Sequence, residues 1–187
     1  MEIITERLCL RPWRDADAKS LYFYAKDPEV GPAAGWPPHD SEQTSLATIR
    51  SVLNGPECYA ITEKENGTAI GAVELIMYPH SHLAENGREC ELGYWLGKPF
   101  WGRGYIPEAT ECLLDFLFMQ TDCPRVWCSH FLGNEKSKRV IEKCGFRPEF
   151  LQEREWPAIG KKLTEQFYSI RKVEYLAKHS AEKERFH

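Results

Sequence analysis

Long apolar runs are missing from this chain. Nothing approaches the ~20 consecutive apolar residues that cross a bilayer, so no membrane partner is expected. The N-terminus carries Glu2, Glu6 and Arg7 where a secretory leader would place an apolar core, which argues for a cytoplasmic protein. Charge of one sign is scarce as well. Lys and Arg total 24 against 28 Asp and Glu, a net charge of −4, and no basic block is long enough to track a phosphate backbone. Nucleic acid is therefore not an expected partner, whereas a mildly acidic protein suits a cationic substrate. Cysteine is present but unpatterned: seven residues, an odd number, with no C-x-x-C. Several fall on apolar periodic positions and read as reduced core thiols. Cys123, Cys128 and His130 match no standard zinc spacing, so no metal is expected. The sequence also lacks internal repeats and low-complexity linkers.

What the chain does have is enough length and apolar content for one domain with a real core: 187 residues, 42% hydrophobic. That domain is expected over residues 1–176, with 177–187 as a polar tail that frays. Ile4 to Trp13 alternates like a strand, and Asp15 is placed to cap a helix reaching Lys26. Residues 28–40, with four prolines, Gly31, Gly35 and Trp36, form a loop. Ser41 starts a second helix that runs to Leu53. Tyr59–Lys64 and Ala69–Tyr78, joined by Asn66-Gly67, read as a hairpin. A polar loop with His80 and His82 leads to a strand over Glu89–Leu96. Pro107–Gln120 has helical periodicity, Arg125–Phe131 reads as a strand, and Asn134 caps a helix that Gly145 closes. Phe146–Glu153 and Glu165–Leu176 are the last strands, an edge through which two copies could pair as a homodimer.

The most informative stretch is Trp101-Gly102-Arg103-Gly104-Tyr105-Ile106-Pro107-Glu108-Ala109, lying between a strand and a helix. Both glycines can take positive φ. Such a turn aims backbone N–H groups outward at the positive end of a helix dipole, an anion site usually filled by phosphate. Pro107 near the helix start costs no hydrogen bond.

Three pieces line up with this turn: the strand Glu91-Leu92-Gly93-Tyr94-Trp95-Leu96, the turn itself, and Asn134-x-x-Ser137-x-x-Val140-Ile141-Glu142-Lys143-x-Gly145-Phe146. Together with Thr5-Glu6-Arg7-Leu8-x-Leu10-Arg11 and the Gly71 strand, they resemble the GNAT superfamily of acyl-CoA-dependent N-acetyltransferases. Within it they are most similar to the branch of ribosomal-protein N-terminal acetyltransferases. The resemblance implies an α/β fold: a mixed, twisted sheet of about seven strands flanked by about four helices, splayed between strands four and five. It also implies acetyl-CoA in the gap, with no metal. Tyr94, Trp95 and Leu96 would then edge the pantetheine arm, Gly102, Arg103, Gly104, Tyr105 and Ile106 would hold the pyrophosphate, and Asn134 and Ser137 would reach the cofactor from the other wall. The chain departs from the family pattern Q/R-x-x-G-x-G/A at Trp101 and Ile106, which leaves the backbone donors in place. The acid tyrosine seven residues after the asparagine is Ile141 here, and a carboxylate that some members carry five residues before it is Ser129.

Proton chemistry must then come from elsewhere. Acyl transfer from a thioester to an amine needs a neutral amine, a stabilised oxyanion and a protonated leaving thiol, but no cysteine nucleophile. Glu91, a carboxylate inside an apolar strand, is the base candidate, and Glu74 is its rival. Ser137 is the candidate acid or thiolate stabiliser, although a serine third after an N-cap also bonds back to its helix. His130 is a weaker base candidate. At neutral pH an ε-amine of pKa about 10.4 is free in only a few molecules per ten thousand, against roughly a tenth for an α-amine near 8. One modest carboxylate therefore favours a peptide N-terminus as acceptor. The alternatives are a small amine such as an aminoglycoside, polyamine or antibiotic, with residues 28–40 as a selective lid, and a non-catalytic acyl-CoA-binding module. A dinucleotide oxidoreductase fits less well, because the third glycine and the alternating parallel units are missing.

Overall fold

The computed structural model describes residues 1–77, 79–81, 83 and 88–185, with side chains through residue 179. The chain runs β1 (Ile3–Ile4), β2 (Leu8–Pro12), α1 (Ala18–Ala25), α2 (Glu42–Ser51), β3 (Cys58–Glu63), β4 (Ala69–Met77), β5 (Cys90–Leu96), α3 (Tyr105–Gln120), β6 (Arg125–Phe131), α4 (Glu135–Lys143), β7 (Arg147–Trp156), β8 (Lys161–Arg171) and α5 (Lys172–Arg185). The eight strands form one sheet in the order β1-β2-β3-β4-β5-β6-β8-β7. Every neighbouring pair is antiparallel except β5 and β6.

That exception positions the site. β5 and β6 pair only at Cys90↔Val126 and Glu91↔Trp127, yet β5 continues to Leu96 and β6 to Phe131. Beyond Glu91 the strands part. If the two-residue β1 is left out, the gap falls between the fourth and fifth strands, as the resemblance implies. The strand period of two then assigns the faces. Leu8, Leu10, Ile61, Val73, Leu75 and Leu92 turn to one side, against Ala109, Leu113 and Leu117 of α3 and Ile141 of α4. Ala60, Ala72 and Trp95 turn to the other, against Leu21 and Ala25 of α1 and Ile49 of α2. Leu8, Leu10 and Leu113 are completely buried, and each such side chain contributes about 1.5–3 kcal/mol.

The boundaries differ from expectation in five places. The first strand is split: Thr5 N–H bonds to the Leu8 carbonyl and the chain reverses, pairing Ile3 with Leu10. Asp15 does not cap the first helix; it opens a short 3-10 turn and pairs with Arg50. The ties at this corner come from Asp17, which accepts from the Arg14 amide at 2.9 Å and from both Arg11 terminal nitrogens at 2.7 and 2.8 Å. Helix α3 begins at Tyr105, two residues before Pro107. β7 extends to Trp156 and β8 starts at Lys161, joined by a turn over Pro157–Ile159. β8 ends at Arg171, and residues expected as strand end and tail form α5, whose Tyr175 packs on Phe118 of α3. The Ser41 and Asn134 caps are as read: their side chains accept from the amides of Thr44 and Ser137 at 3.1 Å each.

Candidate active site

The glycine turn follows β5 directly. Gly102 and Gly104 sit at φ +77° and +79°, and Gly104 is the N-cap of α3. The first helical bond runs from the Glu108 amide to the Gly104 carbonyl. The amides of Tyr105 and Ile106 lie ahead of that bond and have no intrahelical acceptor. They stand at the positive end of a 16-residue helix. A brace from the N-terminal segment holds the turn in place. Arg7 donates through Nε to Glu108 Oε2 at 2.6 Å and through a terminal nitrogen to the Arg103 carbonyl at 2.9 Å. The Arg7 amide and the Thr5 hydroxyl both donate to Glu108 Oε1. Burial pushes the Glu108 carboxyl up, but these hydrogen bonds outweigh it and leave the pKa below the ordinary range.

The turn forms one wall of a cavity of about 880 Å³, within the range of small-molecule sites. Tyr94, Trp95 and Leu96 form its back, Asn134, Ser137 and Val140 of α4 face the turn, and Pro28–Ala34 close the near side. Of the residues expected at the cofactor, Arg103 alone does not line the cavity; its guanidinium lies over the Phe100 ring. Ile106 is 5% exposed and packs in the core. Trp101 donates its indole N–H to the Leu96 carbonyl at 2.7 Å and has the Lys136 ammonium over its ring. Two observations fit the residues present to an anionic nucleotide-like donor: the free amides, and Lys136, Arg139 and Lys143 on the lining face of α4. The sequence reading missed these three cations. Their mutual spacing of three and four residues, in the helix that Asn134 caps, was the available signal.

Ser137 lines the cavity, and its hydroxyl lies 2.7 Å from the hydroxyl of Tyr94. Burial holds the Tyr94 phenol well above its usual pKa. Ile141 is buried in the core.

The expected base lies elsewhere. Glu91 is on the opposite face of β5 from Tyr94, level with Trp127, where β5 and β6 last pair. It does not line the cavity, and it accepts from Ser81 Oγ at 3.2 Å. Glu74 shares its face: the register sets Glu74 against Gly93 and Ile76 against Glu91. A Cβ at residue 93 would stand 2.9 Å from Glu74 Oε1, so glycine makes room for that carboxylate. Burial raises the Glu74 pKa, and a hydrogen bond with Cys58 offsets part of the rise. Tryptophans surround this side: Trp95 contacts both Trp13 and Trp36, and Gly35 packs on Trp156. The sequence also gave no hint of Glu165. It is 1% exposed, accepts from Ser129 Oγ at 3.0 Å and from the Trp156 indole at 2.9 Å, and lies 3.6 Å from Arg154. A carboxylate thus reaches the Ser129 position from β8. His130 is buried, with its ring nitrogens at the Phe131 carbonyl and the Tyr168 hydroxyl. His80 is exposed, and His82 lies outside the described residues. All seven cysteines are free, and Cys123 lies against Cys90, 4.0 Å between sulfurs, rather than against Cys128.

Comparison with known proteins agrees with this geometry. A family model described as an acetyltransferase (GNAT) domain matches residues 7–147. The uncharacterized N-acetyltransferase p20 of Bacillus licheniformis is 30% identical over 178 residues, spanning 92% of this chain and 97% of that protein. The crystal structure of a ribosomal-protein-S5-alanine acetyltransferase from Vibrio fischeri superposes with a TM-score of 0.68 at 19% identity, covering 94% of this chain and 98% of the other. The microcin C7 self-immunity acetyltransferase MccE, crystallised with acetyl-CoA and AMP, superposes with a TM-score of 0.73 at 19% identity, covering 89% and 93%.

Proposed function

Because the chain belongs to the GNAT acetyltransferase family, we propose that it transfers the acetyl group of acetyl-CoA to a primary amine by direct attack, and that the amine is a peptide N-terminal α-amine. The observation that carries this reading is the cavity at the β5–β6 gap, where the amides of Tyr105 and Ile106, the back of β5 and the Ser137 hydroxyl face one space. The amides and the α4 cations hold the phosphates. The β5 main chain from Tyr94 to Leu96 aligns the acyl group and supports the oxyanion. Glu91 takes the amine proton, directly or through water, from its place at the closed end of the gap. Ser137 donates a hydrogen bond to the departing sulfur. The N-terminal acceptor is supported by the low free fraction of lysine ε-amines at neutral pH and by the acidic, aromatic face around Glu91, Glu74 and Trp95. A small-amine acceptor is the second reading, favoured by the loop residues Pro28, Pro32, Ala33 and Ala34, which line the cavity.

Calorimetry with acetyl-CoA and coenzyme A, followed by thiol release with a panel of peptides and small amines, tests the proposal. Binding of both, with turnover highest on peptides, is the expected result. No heat with either donor overturns acetyl transfer; turnover on small amines alone overturns only the acceptor.

A further inference from the structure

The Tyr94 side chain has a role that its place on a strand edge does not suggest. β5 and β6 have already parted at residue 94, so the ring bridges β5 and α4 rather than packing between paired strands. Its hydroxyl stands 2.7 Å from Ser137 Oγ and 3.3 Å from the Ser137 carbonyl, and both residues line the cavity. Ile141, the next turn of α4, is buried and has no proton to offer. The geometry points to Tyr94 as the positioning residue for the leaving group: its O–H donates to Ser137 Oγ, so the single Ser137 proton is turned toward the thioester sulfur. This rests on the acetyl-transfer reading above.

The step balances without a proton leaving tyrosine. The amine nitrogen attacks the acyl carbon, a C–N bond forms, and the carbonyl pair moves to oxygen. That pair then returns to re-form C=O as the C–S bond breaks, with its electron pair going to sulfur. The Ser137 O–H bonds to the developing thiolate, Glu91 takes the proton that nitrogen gives up and passes it to solvent, and solvent returns a proton to the released thiolate. Burial keeps the phenol protonated across the working range, so it remains a donor throughout. A hydroxyl that receives one hydrogen bond is a better donor of its own.

Tyr94→Phe removes one oxygen and leaves the ring in place. With acetyl-CoA its kcat should fall about 10- to 100-fold, the loss expected for a hydrogen bond acting on developing charge, while KM for the donor stays within about twofold. In a Ser137→Ala background the same change should cost less than about twofold, because the residue it serves is gone. With the acetyl selenoester of coenzyme A, whose leaving group is a weaker base, the penalty should shrink. A Tyr94→Phe enzyme with unchanged kcat overturns the assignment. So does a loss that adds in full to that of Ser137→Ala, or one that falls on KM alone as a purely structural strut would show. A wild-type protein that binds acetyl-CoA but acetylates no amine instead overturns the reading on which the inference rests.

Discussion

The two sides of the β5–β6 gap are built from different materials. On the proposed donor side, the turn from Gly102 to Ile106 leaves the amides of Tyr105 and Ile106 without helical acceptors, set by two glycines in the left-handed region and the start of one helix. On the side proposed for the acceptor, Glu91, Glu74, Glu165, Trp95, Trp36 and Trp156 contribute side chains from four strands and a loop, placed by sheet register. Backbone sites depend on local conformation and tolerate side-chain change, which is why Trp101 and Ile106 can replace the usual residues of the pattern. Side-chain sites depend on where distant strands meet, and a single substitution changes their charge.

The contrast breaks most sharply at Gly104. Gly104→Val forces a β-branched residue to φ near +79°, a strain of about 2–3 kcal/mol that the free protein relieves by losing the turn. Calorimetry should then show acetyl-CoA binding weakened about 30- to 150-fold. An unchanged affinity would mean that the amides are not the donor site.

On the proposed acceptor side, Glu91→Gln should reduce kcat/KM about 100-fold at pH 6, the low end of general-base effects. The loss should shrink to under about threefold at pH 9, where an α-amine is free without help. A parallel pH profile in the two enzymes would remove Glu91 from the mechanism and leave Glu74 or water.

Arg7→Met sharpens the donor side. It removes the brace to the Arg103 carbonyl and Glu108 while leaving every expected cavity contact in place. KM for acetyl-CoA should rise about fivefold with kcat unaltered, the pattern of lost uniform binding. A fall in kcat instead would place Arg7 in catalysis.

The smallest effect is expected at Glu74, where the readout is stability. Burial raises its folded pKa above the unfolded value. The stabilisation belonging to the protonated form is therefore present below the unfolded pKa and lost as pH rises through the folded one. Glu74→Gln should accordingly raise Tm slightly at pH 8 and leave it unchanged at pH 4. An equal shift at both pH values would show that the gain is packing and not charge.

Legibility followed the same division. The glycine turn and the Asn134 cap were readable because each depends on neighbours within a few residues, whereas the break in the sheet was expected only from the family resemblance. Helix α5 was missed because Lys172–Leu176 continues the alternation of β8, and only the packing of Tyr175 on Phe118 turns it into a helix. Asp15 looked like a cap by type and position, but Arg11 and the Arg14 amide selected Asp17. Glu165 was not legible at all. It sits among charged and polar residues on a strand that reads as half-exposed, and its burial comes from Ser129 on β6 and Trp156 on β7.

The order of residues alone determined the half of the site proposed for the donor: a strand, two glycines able to adopt positive φ, and a helix whose first amides are left without intrahelical acceptors. These are consequences of chain stereochemistry over a dozen neighbouring positions. Only the tertiary structure decided that Tyr94 meets Ser137, that Gly93 admits Glu74, and that a carboxylate from β8 stands beside Ser129. Those contacts join residues far apart in the chain, and their distances follow from strand register and helix packing, which no local pattern encodes.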